Sequence, residues 1–370
     1  MRCRLGESLL DKLKRLVRAA GIGELGVSDK YVAIKIHFGE PGNLSFLRPN
    51  FAKAVADVVK ENGGKPFLTD CNTLYTGRRK NALDHLDAAY ENGFTPYSTG
   101  CQILIADGLT GADEVWVPVE GGELVSEAKI GRAIMDADVF ISLNHFKGHE
   151  CTGFGGALKN IGMGCGSRAG KMEQHNGGKA EVIESACIGC RICAKQCAHD
   201  AISFVDKKAR IDMDKCVGCG RCIHACRSEA IHQPNDCAND DLCKKMAEYS
   251  KAVVAGRPHF HISIVNQVSP YCDCHVENDA PIIPDVGMFA SFDPVAIDQA
   301  CADKCNAQPA YANSILGDNL IAKGAHHHHG IVDHDGDHFD GTSPTTNWRV
   351  TLEHAEKLGI GTREYELIEI

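Results

Sequence analysis

Apolar positions recur at helical spacing from Glu7 to Ala20 (Leu9, Leu10, Leu13, Leu16, Val17, Ala20), and Gly21 closes that run. Tyr31-Val-Ala-Ile-Lys-Ile-His37 then reads as a strand. Phe51 to Glu61 reads as a helix stopped by Asn62-Gly63-Gly64, and Pro66-Phe-Leu-Thr69 as the next strand. A helix over Asn81–Glu91 follows, then strands over Gln102–Ala106 and Glu114–Val119, a short helix over Ile130–Met135 and a buried strand over Val139–Leu143. The alternation breaks near Ala180. It returns with Asp241–Ala255, His259–Val265 and Pro294–Cys305, and closes with a helix over Val350–Leu358. Alternating strands and helices predict an α/β core with a mostly parallel sheet and right-handed crossovers. That core comes in two parts, residues 1–180 and 236–370, separated by a small cysteine-dense domain over 181–235.

Composition narrows the function classes. The chain has 370 residues, 44% of them hydrophobic, which supports a real core rather than a disordered chain. Its 39 Lys and Arg against 49 Asp and Glu give a net charge of −10, which argues against nucleic acid or an anionic membrane as partner. No apolar run approaches the roughly 20 residues that span a bilayer, so no membrane segment is expected. The first twenty residues lack the apolar core of a signal, which predicts a cytoplasmic protein. The 19 cysteines, eight of them crowded into one stretch, fit metal ligation in a reducing compartment better than a disulfide framework.

The crowded stretch contains a repeat. Cys187-Ile-Gly-Cys190-Arg-Ile-Cys193-Ala-Lys-Gln-Cys197 aligns with Cys216-Val-Gly-Cys219-Gly-Arg-Cys222-Ile-His-Ala-Cys226, and each half runs on into an Ala-Ile pair, Ala201-Ile202 and Ala230-Ile231. The spacing C-x2-C-x2-C-x3-C, present twice, resembles that of bacterial two-cluster ferredoxins, which implies an inserted α+β ferredoxin-like domain. In that pattern three thiolates of one loop hold one cluster and the fourth cysteine serves the other. Cys187, Cys190, Cys193 and Cys226 are thus expected to ligate one [4Fe–4S] cluster, and Cys216, Cys219, Cys222 and Cys197 the second. The proline that follows the fourth cysteine in that family is replaced by Ala198 and Arg227. Structural zinc or reduced core thiols are the competing accounts, and neither needs a duplicated quartet. The segment is nearly neutral, with eight Lys and Arg against seven Asp and Glu, which suits a built-in electron relay better than a free acidic carrier.

Three predicted strands empty into polar loops at their carboxyl ends, where open α/β sheets bind ligands. These loops are His37-Phe-Gly-Glu40-Pro-Gly-Asn43, Asp70-Cys71-Asn72 and Asn144-His145-Phe-Lys147-Gly-His149-Glu150-Cys151. Gly153-Phe-Gly155-Gly156-Ala-Leu-Lys159-Asn-Ile-Gly162-Met-Gly164 follows, and a helix starting near Ala157 would aim its first N–H groups at an anion. A solvated loop with incidental titratable groups is the plainer account. The expected catalytic group is His145, Lys147, His149 and Lys159, and the expected cofactor-binding group is Gly155, Gly156, Lys159 and His175.

These loops, with Cys272-Asp-Cys274 and Ser291-Phe-Asp-Pro-Val-Ala-Ile-Asp298, resemble a family of uncharacterised Fe–S-centre proteins built on domain of unknown function 362, sometimes with a ferredoxin insert. The resemblance covers nearly the whole chain and implies no established reaction. A remoter resemblance, to nickel-pincer lactate racemases, rests on His149, Lys159 and His175 in a similar order around the glycine-rich loop. It implies Lys159 as tether of a pyridinium-derived cofactor, His175 as nickel ligand and His149 as proton-transfer base. Met163 departs from the proline usual in that loop.

Smaller signals remain. Cys272-Asp-Cys274-His275 is a soft-metal chelate on paper. Cys301 and Cys305 share a helix face and read as packing residues. Asp293-Pro294 reads as an N-cap with proline at the first helical position, and Asp298 as either structural or pocket-facing. His326–His329, with His334, His338 and the neighbouring aspartates, reads as a loop prone to adventitious metal binding. Together these predict a protein with two [4Fe–4S] clusters relaying electrons to a polar pocket, an oxidoreductase acting on a small molecule or with a redox partner protein. The pocket would have room for an additional metal or organic cofactor. A non-catalytic electron-transfer or metal-handling protein is the alternative, and a pincer-type isomerase or racemase the second.

Overall fold

The structure is a computed structural model that describes residues 5–74, 77–176, 180–197, 199–216, 222, 225–228, 230–232 and 239–370. Its centre is a six-stranded sheet in the spatial order Gly287–Ser291, His259–Val265, Val139–His145, Tyr31–Lys35, Lys65–Asp70, Gln102–Ile105. All neighbours are parallel except the edge strand Gly287–Ser291, which runs antiparallel to His259–Val265.

The central strands are apolar on both faces because both are covered. Val32, Ile34, Val139 and Ile141 point into one core, beneath the paired helices Leu9–Ala19 and Pro49–Glu61. Ala33, Phe67 and Phe140 point into the other, beneath the helices Ala157–Cys165 and Asn239–Val254. Each fully buried Val, Ile or Phe in these layers contributes on the order of 1.5–3 kcal/mol. That burial, more than helix propensity, fixes the register of the sheet.

The sequence reading places Glu114–Val119 among the sheet strands and a helix over Ile130–Met135. Instead Glu114–Pro118 pairs antiparallel with Glu127–Gly131 in a separate hairpin, and the helix shrinks to Arg132–Met135. The hairpin is half-exposed, with Trp116 at its surface, and a one-faced ribbon cannot occupy the doubly covered sheet.

From Tyr31–Lys35 the chain adds two strands on one side, then returns to place Val139–His145 on the other. The crossovers therefore diverge between these two strands, and a crevice opens beyond their carboxyl ends. Between residues 181 and 232 the described chain forms small antiparallel pieces. Glu181–Val182 pairs with Ile231–His232, and Ile202–Val205 forms a hairpin with Lys208–Ile211. Their small apolar core joins Cys187, Cys193, Ala209 and Ile231 to Leu74 and Met172 of the α/β body.

Candidate functional site

A cavity of about 410 Å³ occupies the crevice. Lys35 and His37 reach it from the first strand and its loop, and Asp70 from the second. Lys147, His149 and Glu150 come from the loop after Val139–His145, Lys159 and His175 from the helices that follow, and Cys274 and His275 from the loop after His259–Val265.

Local folding explains the third loop. Lys147–His149 is a short strand paired antiparallel with Gly153–Gly155. Side chains alternate along it, so Lys147 and His149 share the cavity face. Phe146 turns the other way, packing on Phe154 at 4.6 Å between ring centroids, with Phe339 and Trp348 behind. Gly148 is pressed on Pro270, where a Cβ would meet the carbonyl oxygen at 2.7 Å.

The helix Ala157–Cys165 begins at the cavity wall, but its N–H groups are not offered to an anion. Ala157 and Leu158 N–H donate to the Asp298 carboxylate at 2.6 and 2.9 Å. Gly156 is glycine because a Cβ there would lie 2.2 Å from Asp298 Oδ1. The expected anion cradle is thus an internal cap, and Asp298 is structural. Burial pushes its carboxyl up to about 7, against the two N–H groups that favour the charged form. Gly155 makes room for the Lys159 stem in the same way, at 3.0 Å from Cδ.

The chemistry concentrates where Lys159 ends. Its Nζ lies 3.1 Å from Cys272 Sγ, which also accepts the Cys274 backbone N–H at 3.4 Å. A hydrogen bond from the Cys274 thiol favours the Cys272 thiolate most. Burial opposes it, and Lys159 and His149 add to it, so Cys272 falls well below the ordinary thiol range. Cys274 is pushed up correspondingly, so the pair holds one proton between two sulfurs. Burial opposes the Lys159 charge, and the neighbouring sulfurs overcome it and raise its pKa. Cys272 is fully buried, whereas Cys274 borders the cavity.

His149 has a defined tautomer. Its Nδ1 accepts the backbone N–H groups of Cys151 and Thr152 at 3.1 and 3.2 Å, which leaves the proton on Nε2, 3.8 Å from Glu150 Oε1. Among the described residues, His149, Glu150 and Cys151 form the group whose donor atoms close to within 4.8 Å of one another. As a metal site it is poorly prepared. A ligating imidazole ordinarily donates its second nitrogen, whereas Nδ1 here is an acceptor. Glu150 is taken by His275 Nε2 at 2.9 Å. His275 is thereby turned from the chelate that Cys272-Asp-Cys274-His275 suggests on paper.

His145 does not line the cavity. Its Nδ1 lies 3.0 Å from both oxygens of Asp273 and its Nε2 2.7 Å from the Asn266 carbonyl, which locks the residue between the two cysteines in place. Lys147 reaches the same carboxylate at 3.3 Å. His175 borders the cavity, and burial together with the nearby His149 and Lys159 pushes its imidazole down to about 3.

Charged groups that the motif reading passed over complete the wall. Lys35 pairs with Asp70 at 3.0 Å, both buried, and Arg79 pairs with Glu40 at 2.8 Å while lying 2.8 Å from His37 Nε2. Lys171 also borders the cavity. A lysine inside a doubly buried strand was the available signal for Lys35, and the four-residue spacing to His175 on one helix face was the signal for Lys171. Nothing local marks Arg79, whose partner is thirty-nine residues away.

The cysteine-rich stretch has its own small pocket. Cys187, Cys190, Cys193 and Cys226 all border it, with Phe204 and Ile231. Backbone N–H groups of Ala209 and Ala230 approach Cys187 and Cys226 Sγ at 3.4 and 3.2 Å, and that of Ala201 approaches Cys197 Sγ at 3.4 Å. Cys216 and Cys222 are half-buried, and Cys219 lies outside the described residues. Cys301 and Cys305 are packed in an apolar cluster. Asp293 caps the helix Pro294–Asn306 as its sequence suggests. His327–His328 is an exposed strand of a small hairpin, while Asp337 caps the helix His338–Thr342 and binds Arg349 at 2.9 Å.

Comparison with known proteins finds similarity to a curated protein and to several solved structures. A thylakoid-associated protein of Synechocystis sp. is 28% identical over 168 residues, 43% of this chain and 46% of that protein, so the match spans under half of the relative. The lactate racemase apoprotein from Thermoanaerobacterium thermosaccharolyticum superposes with a TM-score of 0.44 at 12% identity, covering 81% of this chain and 56% of that one. A Thermotoga maritima protein superposes with a TM-score of 0.41 at 13% identity, covering 80% and 57%. The profile of the domain of unknown function DUF362 matches residues 32–303, well over half of the chain and all of the strands that build the cavity, so the protein belongs to the DUF362 family.

Proposed function

We propose that this chain is an iron–sulfur redox protein in which residues 181–235 form an inserted ferredoxin-like domain with two [4Fe–4S] clusters serving the pocket of the α/β core. The observation that carries the reading is the convergence of Cys187, Cys190, Cys193 and the sequence-distant Cys226 on one small pocket. The donor set fits the group. Four thiols around one mononuclear zinc would sit about 3.8 Å apart, given Zn–S bonds near 2.3 Å. No three of these sulfurs close to within 4.8 Å, and a cubane, which seats each thiolate on a different iron, needs the wider spacing. The N–H groups aimed at Cys187, Cys197 and Cys226 are the hydrogen bonds that tune such clusters. Cys197, Cys216, Cys219 and Cys222 would hold the second cluster.

Bound there, each cluster supplies a one-electron couple. In the pocket, Lys147 and Lys159 present ammonium groups to an anionic substrate and His149 presents the Nε2 proton. Gly155, Gly156 and His175 shape the wall, and His145 positions the Cys272–Cys274 turn through Asp273. The substrate is a small molecule of the cavity's size or a group presented by a redox partner, and the thiol-rich composition suits the cytoplasm. Iron analysis and EPR of anaerobically purified full-length protein test the reading. About eight irons with a reducible [4Fe–4S] signal are expected, and stoichiometric zinc or fewer than four irons would overturn it.

One observation favours a second reading, because His149, Lys159 and His175 border one cavity as a pincer-cofactor site requires. Nickel in the same elemental analysis, with a covalent mass increase on Lys159, would support it.

A further inference from the structure

We propose that Cys272 and Cys274 form a redox-active dithiol that closes to a disulfide by exchange with a low-molecular-weight disulfide entering the cavity. The inference rests on the surroundings of the pair and stands apart from the cluster assignment. Two donors meet Cys272 Sγ, the Lys159 ammonium at 3.1 Å and the Cys274 backbone N–H at 3.4 Å, and the neighbouring Cys274 thiol and His149 further favour its charged form. Desolvating a lysine only to face a neutral thiol is costly. A thiolate accounts for both contacts. The Lys159 ammonium 3.1 Å from Cys272 Sγ argues against a metal there, since a cation would be repelled by it.

The two sulfurs divide the work by location. Cys274 borders the cavity and meets the incoming disulfide, and Cys272 lies behind it. As Cys274 Sγ attacks one sulfur, its proton crosses the shared hydrogen bond to Cys272 and the distal half departs as a thiolate. Cys272 then passes the proton to that thiolate and attacks Cys274 Sγ, expelling the second half as a thiolate. One dithiol monoanion and one disulfide become one protein disulfide, one thiol and one thiolate, with charge and protons conserved. Lys159 holds the negative charge on the pair before attack and on the resolving sulfur afterwards.

The turn is built to hold the sulfurs together. His275 N–H bonds back to the Cys272 carbonyl at 3.1 Å, and Asp273 between the cysteines is fixed by His145 and Lys147. The test uses anaerobic full-length protein and glutathione disulfide as probe, read by alkylation and peptide mass. The peptide carrying both cysteines should take two alkyl groups after dithiothreitol, and none after glutathione disulfide, becoming two hydrogens lighter. Cys272→Ser should trap glutathione on Cys274, and Lys159→Met should slow closure on the order of tenfold, with Lys159→Arg restoring most of the rate. Double alkylation after glutathione disulfide in folded wild-type protein overturns the proposal. Protection of the reduced peptide by a bound metal does so as well. Iron content, measured on the same samples, reports the cluster reading separately.

Discussion

Glu150 and His275 show how little of the pocket's behaviour is visible one residue at a time. Burial disfavours the Glu150 charge, but His149 and the His275 hydrogen bond outweigh it and hold the carboxyl at about 2. The same hydrogen bond raises His275 above its ordinary value. The sign follows from linkage. Glu150 contributes stability above the unfolded carboxyl value of 4.5 and loses it as pH falls toward about 2. His275 contributes below its unfolded value of 6.5 and loses it as pH rises through its raised folded value. The pair is therefore fully formed between about pH 4.5 and 6.5, and its exposure keeps its energetic worth small. Glu150→Gln should bring the His275 titration, followed by NMR, down toward about 6.5. An unmoved midpoint would show that another group sets it.

Among the elements, the helix carrying Lys159 is anchored by a residue far along the chain. Asp298→Ala leaves the Ala157 and Leu158 N–H groups buried without acceptors, at about 1–3 kcal/mol each. An unfolding free energy lowered by that amount, read from urea denaturation, is expected, and a neutral result would mean that solvent reaches the helix start. Glu248 stitches three elements together, accepting N–H groups from residues 123–125 and the His354 ring at 2.9 Å. Burial opposes its charge, but these partners lower its pKa below 4.5. It therefore stabilises the fold above that value and ceases to as pH falls through the folded value. Glu248→Gln should weaken the protein at pH 7 and flatten the acid limb of its stability curve, measured by urea unfolding from pH 3 to 7.

Element types were largely legible because doubly buried strands and one-faced helices leave different hydrophobic periods. The strand Tyr31–Lys35, the helix Pro49–Glu61 and the strand His259–Val265 fall where those periods place them. The hairpin Glu114–Pro118 with Glu127–Gly131 did not, since pairing partners are not written in local pattern. In the site, Lys147, His149 and Lys159 were readable as unusual polar groups at strand ends. The Asp298 cap and the Arg79–Glu40 pair were not, because each joins residues that only the finished fold brings together.

For the molecule as a whole, the α/β body has large cores on both faces of its sheet, whereas the described residues between 181 and 232 share one small cluster. On the proposed iron–sulfur reading, chelation of the iron should therefore melt the small part first. Hydrogen exchange is expected to accelerate across 181–232 while Val139–His145 and His259–Val265 stay protected. Uniform loss of protection would mean that the parts fold as one unit.

The pairing of Glu181–Val182 with Ile231–His232, extended by the Ile183 N–H to the Ala230 carbonyl at 2.7 Å, brings the exit and re-entry points of the cysteine-rich stretch side by side. A two-stranded stem is a natural splice point. Replacing everything above it with a tight Asn-Gly reverse turn should yield a shortened protein that keeps the cavity, and on the proposed reading that protein would carry no iron, so the wiring could be unplugged from the machine it would serve.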